Sequence, residues 1–215
     1  MRSKGVCALS GHAYHTALAE TKQAQIVDAA RKRFLDQGFS RASMAEIAEQ
    51  AKVSTTTLYR HFKSKDVLFE AVLDGVRTQF AQALDDVALP ADDLRGGLRD
   101  FAEAYIDILS DRDIVGMARV IIAEAAMFQP LAASFHDAMK GEVFHRLMDY
   151  LRLGMETEKL VAHDPGDSMG LFLGYVERSF LLPRLLDPQH VSPADARTRV
   201  SELASHMVLS IYGKQ

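Results

Sequence analysis

Between Ser54 and Lys65 the chain places Thr55, Thr56, Thr57, Tyr59, Arg60, His61, Lys63 and Lys65 around two apolar residues, Leu58 and Phe62. Hydroxyl and guanidinium groups read base edges in a major groove, and hydroxyls and cations hold phosphate oxygens. Leu58 and Phe62 are four residues apart, so on a helix they point the same way, while Thr55, Thr56, Tyr59, Arg60 and Lys63 project from the other side. Ser54 has the side chain to cap that helix, and an N-terminus with free N–H groups suits a phosphate oxygen. A merely solvated helix face would carry the same residue types, so the surrounding elements decide the reading.

Other chemistry finds little support. The sequence holds no G-x-S-x-G, H-E-x-x-H, P-loop or G-x-G-x-x-G pattern, so neither an enzyme nor a cofactor is expected. Cys7, His12 and His15 are metal-ligand types within nine residues, but no fourth ligand is near and their context is aperiodic, so no metal site is expected. One cysteine allows no disulfide within the chain and fits a reducing compartment. No apolar run approaches the ~18 residues that span a bilayer, and Val6 to Leu9 is too short for a signal-peptide core. A cytoplasmic protein without a membrane partner is the expectation.

The elements that must position the Ser54–Lys65 cluster are legible around it. All six prolines of the 215 residues lie after residue 89, and apolar spacings of three and four predict an all-α fold. A first helix is predicted from about Lys22 to Gln37, with Ile26, Ala30 and Phe34 on one face and Gly38 as its stop. Ser43 and Glu46 form a capping box opening a second helix with Ile47 and Ala51 inward. Ser54 caps the third. Ser64 caps the fourth, which carries Asp66 in its first turn and Leu68, Val72, Val76, Phe80 and Leu84 along its face. Ser43 to Phe62 thus has the size of a helix-turn-helix. Charge agrees: residues 1–75 hold 11 Lys and Arg against 8 Asp and Glu, whereas residues 76–215 hold 14 against 21. Only the first third is fit to meet a polyanion. Residues 1–20, without periodicity, read as a flexible arm. Beyond Pro90, helices are predicted at roughly 93–110, 112–126, 131–153, 167–187 and 194–212, with Pro183 ending or kinking the fourth of these. Val120 to Ala123 is apolar nearly all round and must be buried or line a cavity.

The stretch Ala24 to Leu73, above all Ala29-Ala30, Phe34, Gly38-Phe39, Ile47-Ala48 and the run Val53 to Lys65, resembles the N-terminal domain of TetR/AcrR-type transcriptional regulators. Arg119 to Glu124 with Phe128 resembles the C-terminal domains of AefR-type members. The resemblance implies a homodimer on a palindromic double-stranded operator, most often a repressor, released by a small molecule. By position it implies that Thr55, Thr56 and Arg60 face bases while Thr57, Tyr59, His61 and Lys65 hold phosphates; Ser43, Met44 and Ser54 complete the expected DNA-binding set. Lys52 departs from the family, which has glycine in this turn; it must take the turn's backbone, at a modest cost if φ is positive, and gains reach to a phosphate. The implied organisation is a DNA-binding domain over 21–75, its fourth helix running on as a connector to about 88, and a ligand-binding and dimerisation domain over 89–215.

In that second domain Gly170 and Gly174 sit four apart and allow a close backbone approach, and the last helix sets Val200, Leu203, Ala204, Met207, Val208 and Ile211 on one stripe. Gly170, Gly174, Leu203, Met207 and Ile211 are therefore the expected dimer interface, although an internal core would use the same stripes. The expected pocket draws on Phe101, Tyr105, Met117, Val120, Ile121, Glu124, Met127, Phe128, Phe135, Phe172 and Tyr175, a set suited to an apolar or aromatic effector, with Arg119 and Glu124 for a polar end. The alternative is an effector-independent dimeric DNA-binding or architectural factor, since a packed core would show the same apolar excess.

Overall fold

Nine α-helices make up the computed structural model among the residues it describes, 7–125 and 144–214, with side chains described from residue 21 on. They are α1 (Cys7–Gln37), α2 (Met44–Gln50), α3 (Thr55–His61), α4 (Lys65–Asp85), α5 (Leu94–Ser110), α6 (Arg112–Glu124), α7 (His145–Glu156), α8 (Pro165–Leu186) and α9 (Ala196–Tyr212). The chain divides into two units between Asp74 and Gly75, inside α4.

In the first unit, Ile26, Ala30 and Phe34 of α1, Ile47 of α2, Leu58 of α3 and Leu68, Phe69 and Val72 of α4 are buried together with Phe39 and Phe62. Three rings form its centre: Phe34 to Phe69 at 5.0 Å edge-on, Phe39 to Phe69 at 4.8 Å and Phe34 to Phe39 at 5.6 Å. Such aromatic pairs add to the area they bury. Gly38 ends α1 with φ 79, a left-handed conformation that glycine takes without steric penalty. The Ser43–Glu46 capping box is complete, with the Glu46 amide on Ser43 Oγ at 3.2 Å and the Ser43 amide on Glu46 Oε2 at 3.1 Å. Ser54 Oγ accepts the Thr57 amide at 3.1 Å and Ser64 Oγ the Val67 amide at 3.3 Å. Lys52 does adopt a positive φ, 54, in the turn between α2 and α3.

One boundary differs. Helical backbone begins at Cys7, not near Lys22, so the part of the expected arm from Cys7 onward is helix. Ala8, Leu9, Ala13, Ala17, Leu18 and Ala19 favour helix intrinsically, and no proline interrupts them; helix propensity needs no amphipathic stripe. The side chains of Cys7, His12 and His15 lie outside the described residues.

In the second unit α5 packs on α8 and α9, α9 on α8, α6 on α5 and α8, and α7 on α8. The segment after α4 is fastened to α7: Arg146 donates to the carbonyls of Leu84 at 2.6 Å and Val87 at 2.9 Å and to that of Asp85, and the Tyr150 hydroxyl to those of Pro90 at 2.8 Å and Asp93 at 2.9 Å. Burial, and then Asp93, Asp92 and Asp100, push the Tyr150 phenol up to about 12, so it remains a donor. The helix expected over 131–153 is not continuous: Phe144 has non-helical dihedrals, φ −100 and ψ 10, and α7 starts after it; residues 131–143 lie outside the described ones. α8 continues through Pro183 to Leu186, where Arg184 reaches back to the Phe180 carbonyl at 2.9 Å.

The single stripe expected on α9 splits into two lines. Val200, Ala204 and Val208 are buried, whereas Leu203 and Ile211 are 40% and 59% exposed and Met207 is half-buried beside them. The two lines are three residues apart in register, about 60° around the helix, and only one of them can face α5 and α8. No helix among the described residues is long and apolar enough to cross a membrane.

Candidate nucleic-acid interface and ligand cavity

The α2–turn–α3 segment is built from local signals alone, two serine caps and a positive-φ turn, so its outward face follows from the register. Thr55, Thr56, Tyr59 and Arg60 of α3 are exposed, Tyr59 by 47%, as are Ser43, Lys52, Ser54 and Lys63. Thr57 is half-buried and its hydroxyl is bonded to Ser54 Oγ at 2.8 Å. His61 is half-buried beside Phe62, with Nε2 buried and without a hydrogen-bond partner among the described residues. Ser43 holds Glu46 with its own hydroxyl at 2.8 Å, and these bonds keep the Glu46 carboxyl below its usual range.

Two members of the expected DNA-binding set stand elsewhere. Met44 is buried, 9% exposed, because the first residue of α2 turns toward the core with Ile47. Lys65 points back into its own unit: Nζ donates to the carbonyls of Phe39 at 2.8 Å, Ala42 at 3.0 Å and Ser40 at 3.1 Å, and lies 4.6 Å from the centre of the Phe39 ring. An ammonium has three donors, and all are committed to the loop between α1 and α2. Lys65→Ala is therefore expected to lower the stability of the first unit by about 2 kcal/mol. It should leave the salt slope of DNA binding unchanged, where loss of a phosphate contact lowers it by about one. Melting curves and binding titrations over a salt series separate the two.

The second unit holds a cavity of about 490 Å³ walled by Val76 and Phe80 of α4, Tyr105 and Leu109 of α5, Ile114, Met117, Ala118, Ile121 and Ile122 of α6, Phe144, and Met169, Gly170, Leu173, Gly174, Glu177 and Leu181 of α8. Of the expected pocket residues, Tyr105, Met117 and Ile121 line it. Phe101 and Phe172 do not: both are fully buried and face each other at 6.3 Å between α5 and α8. Val120 is buried in the core, and Glu124 and Tyr175, both half-buried, are off the wall. Met127, Phe128 and Phe135 lie outside the described residues. Helix phase explains α8. Gly170, Leu173, Gly174, Glu177 and Leu181, at spacings of three and four, share the cavity face, while Phe172 and Val176 turn to the core. Gly170 and Gly174, expected at the dimer interface, are exposed beside the cavity, with no described atom within 4 Å of where a Cβ would sit. Arg119 points to the end of α8, Nη2 on the Arg184 carbonyl at 2.9 Å.

Glu177 and Phe80 are among the thirteen wall residues that the expected pocket did not include. Phe80 was read as one more member of the apolar line of α4, and Glu177 is an isolated acid between Val176 and Arg178. The Tyr105 hydroxyl donates to Glu177 Oε1 at 2.8 Å. Burial first, and then the Glu177 charge and hydrogen bond, raise the Tyr105 phenol well above its ordinary range.

An outward hydroxyl-and-guanidinium helix in a capped helix-turn-helix, joined through one continuous helix to a helical unit with an apolar cavity, defines the class of DNA-binding regulators. Residues 26–72 match the bacterial regulatory proteins of the tetR family, and residues 96–214 the C-terminal domain of AefR-like transcriptional repressors. The chain belongs to the TetR family of transcriptional regulators, with an AefR-like C-terminal domain. It is similar to the transcriptional activator FasR of Mycolicibacterium smegmatis, 32% identical over 115 residues, 54% of this chain and 52% of FasR, so the match spans about half of that relative. Among solved structures, a Mesorhizobium loti chain assigned to the TetR family superposes with a TM-score of 0.82 at 22% identity, over 91% of this chain and 98% of its own. The flavonoid-responsive regulator FrrA superposes with a TM-score of 0.74 at 28% identity, over 91% and 99%.

Proposed function

We propose that the chain is a ligand-responsive repressor that binds a palindromic operator as a homodimer in the cytoplasm and is released by a small, largely apolar or aromatic effector. The observation that carries this reading is the position of α4: it starts at Lys65, directly after the DNA-facing α3, and supplies Val76 and Phe80 to the cavity wall. An occupant that displaces these two residues acts on the same helix that follows α3. The match to the C-terminal domain of AefR-like repressors supports repression, and the flavonoid response of FrrA supports an aromatic effector. The exposed apolar residues Leu203 and Ile211 on α9 and Leu182 and Leu186 on α8 support the homodimer.

The test starts from an operator selected out of random duplexes. Thr56→Ala or Arg60→Ala should cost roughly 1–3 kcal/mol and relax preference at one operator position, while Tyr59→Phe weakens binding to all sequences alike. A compound that raises the melting temperature should lower operator affinity roughly 5- to 150-fold, the size of an ordinary allosteric coupling of about 1–3 kcal/mol. A broad screen of aromatic and lipophilic compounds in which none moves both quantities favours the effector-independent alternative. A reporter placed behind the operator gives the sign of regulation.

A further inference from the structure

Glu177 is the one acidic side chain among the described residues of the cavity wall, and no lysine, arginine or histidine stands there with it. Its Oε1 accepts the Tyr105 hydroxyl, and Oε2 has no partner among the described residues. Tyr105, Phe80 and Phe144 bring three rings to the same cavity wall. The Tyr105 ring stands edge-on to Phe144 at 5.4 Å and to Phe80 at 6.4 Å. An acid in an apolar wall is costly to desolvate, and one neutral donor satisfies only one of its two oxygens. Aromatic rings attract cations through their quadrupoles, so rings and carboxylate favour the same charge at one place.

We propose that the effector taken by this cavity is a lipophilic organic cation, a protonated or quaternary amine on an aromatic or aliphatic body, with its nitrogen seated between Glu177 and the rings of Phe80, Tyr105 and Phe144. The proposal rests on the reading of the cavity as the effector site. A neutral phenol also donates a hydrogen bond to Oε2, but it brings no charge for the acid or the rings; the neutral class is the outcome that the test must separate.

Crystal violet, a triaryl cation, and its uncharged leuco form carry the same three aryl groups and differ by one hydride at the central carbon. Titrated calorimetrically into the full chain at pH 7.5, the cation is expected to bind at least ten-fold more tightly than the leuco form and to lower operator affinity. Glu177→Gln keeps the length of the side chain and an acceptor for Tyr105; it should bring the two affinities within about two-fold by weakening the cation alone. Glu177→Asp keeps the charge and should retain the preference, and melting curves of both variants establish that they fold. Equal affinities in the unaltered chain, or a preference that survives in folded Glu177→Gln, overturns the cation proposal. If the leuco form binds and lowers operator affinity with no advantage for the cation, the effector site stands and only its charge class falls. If neither form binds or shifts melting, the cation proposal falls, and the broad compound screen decides the effector reading.

Discussion

A Met207→Glu chain is expected to scatter light as a monomer of 23.8 kDa, and the unaltered chain as a dimer of about 48 kDa, twice that mass. Operator affinity should fall by roughly 10²- to 10⁴-fold, because a half-site bound without its linked partner loses the gain of effective concentration. Met207 sits in the outer line of α9 between Leu203 and Ile211, and a two-fold interface sets the same patch of each protomer against its mate. A glutamate there brings in an acid twice over and buries it without a counter-charge. The fold should survive, because Val200, Ala204 and Val208 hold α9 against its own unit from the neighbouring line. Circular dichroism and melting of the variant check this, and an unaltered chain that stays monomeric at micromolar concentration overturns the homodimer.

The second large effect is expected at Phe69. Phe69→Ala removes the ring that meets both Phe34 and Phe39, in a site only 1% exposed. Truncating a buried phenylalanine costs about 3–5 kcal/mol, a large part of the roughly 5–15 kcal/mol that holds an ordinary domain folded. Operator binding should be lost with the first unit. The chain has no tryptophan, so far-UV circular dichroism during guanidinium unfolding is the fitting measurement. A midpoint unchanged from the unaltered chain would contradict this account of the core.

The DNA-facing half was legible because its signals are local. Ser43, Ser54 and Ser64 each reach an amide three residues on, Gly38 stops α1, and Leu58 and Phe62 face inward at a spacing of four; none of these depends on a distant part of the chain. Lys65 shows the limit. Its place in the run Tyr59 to Lys65 resembles a phosphate contact, yet its three carbonyl partners lie 23 to 26 residues earlier, and spacing within the run carries no sign of them. Met44 fails for a similar reason, since a first-turn residue faces groove or core according to the angle at which the helix is docked.

The sequence by itself determined the helical class, the order of the helices, the capped helix-turn-helix and the outward set Thr55, Thr56, Tyr59 and Arg60, because caps, breakers and a period of 3.6 act over a few residues. Tertiary structure alone decided which apolar residues became core and which became wall or outer surface. Phe101 and Phe172 went to the core and Phe80 and Phe144 to the cavity; Val200 was buried and Leu203 left outside. Hydrophobicity makes these residues equivalent, and nearly every face of α6, α8 and α9 carries some of it. Only the packing of one helix on another selects a face, and that selection placed Glu177 and Tyr105, 72 residues apart, within one hydrogen bond.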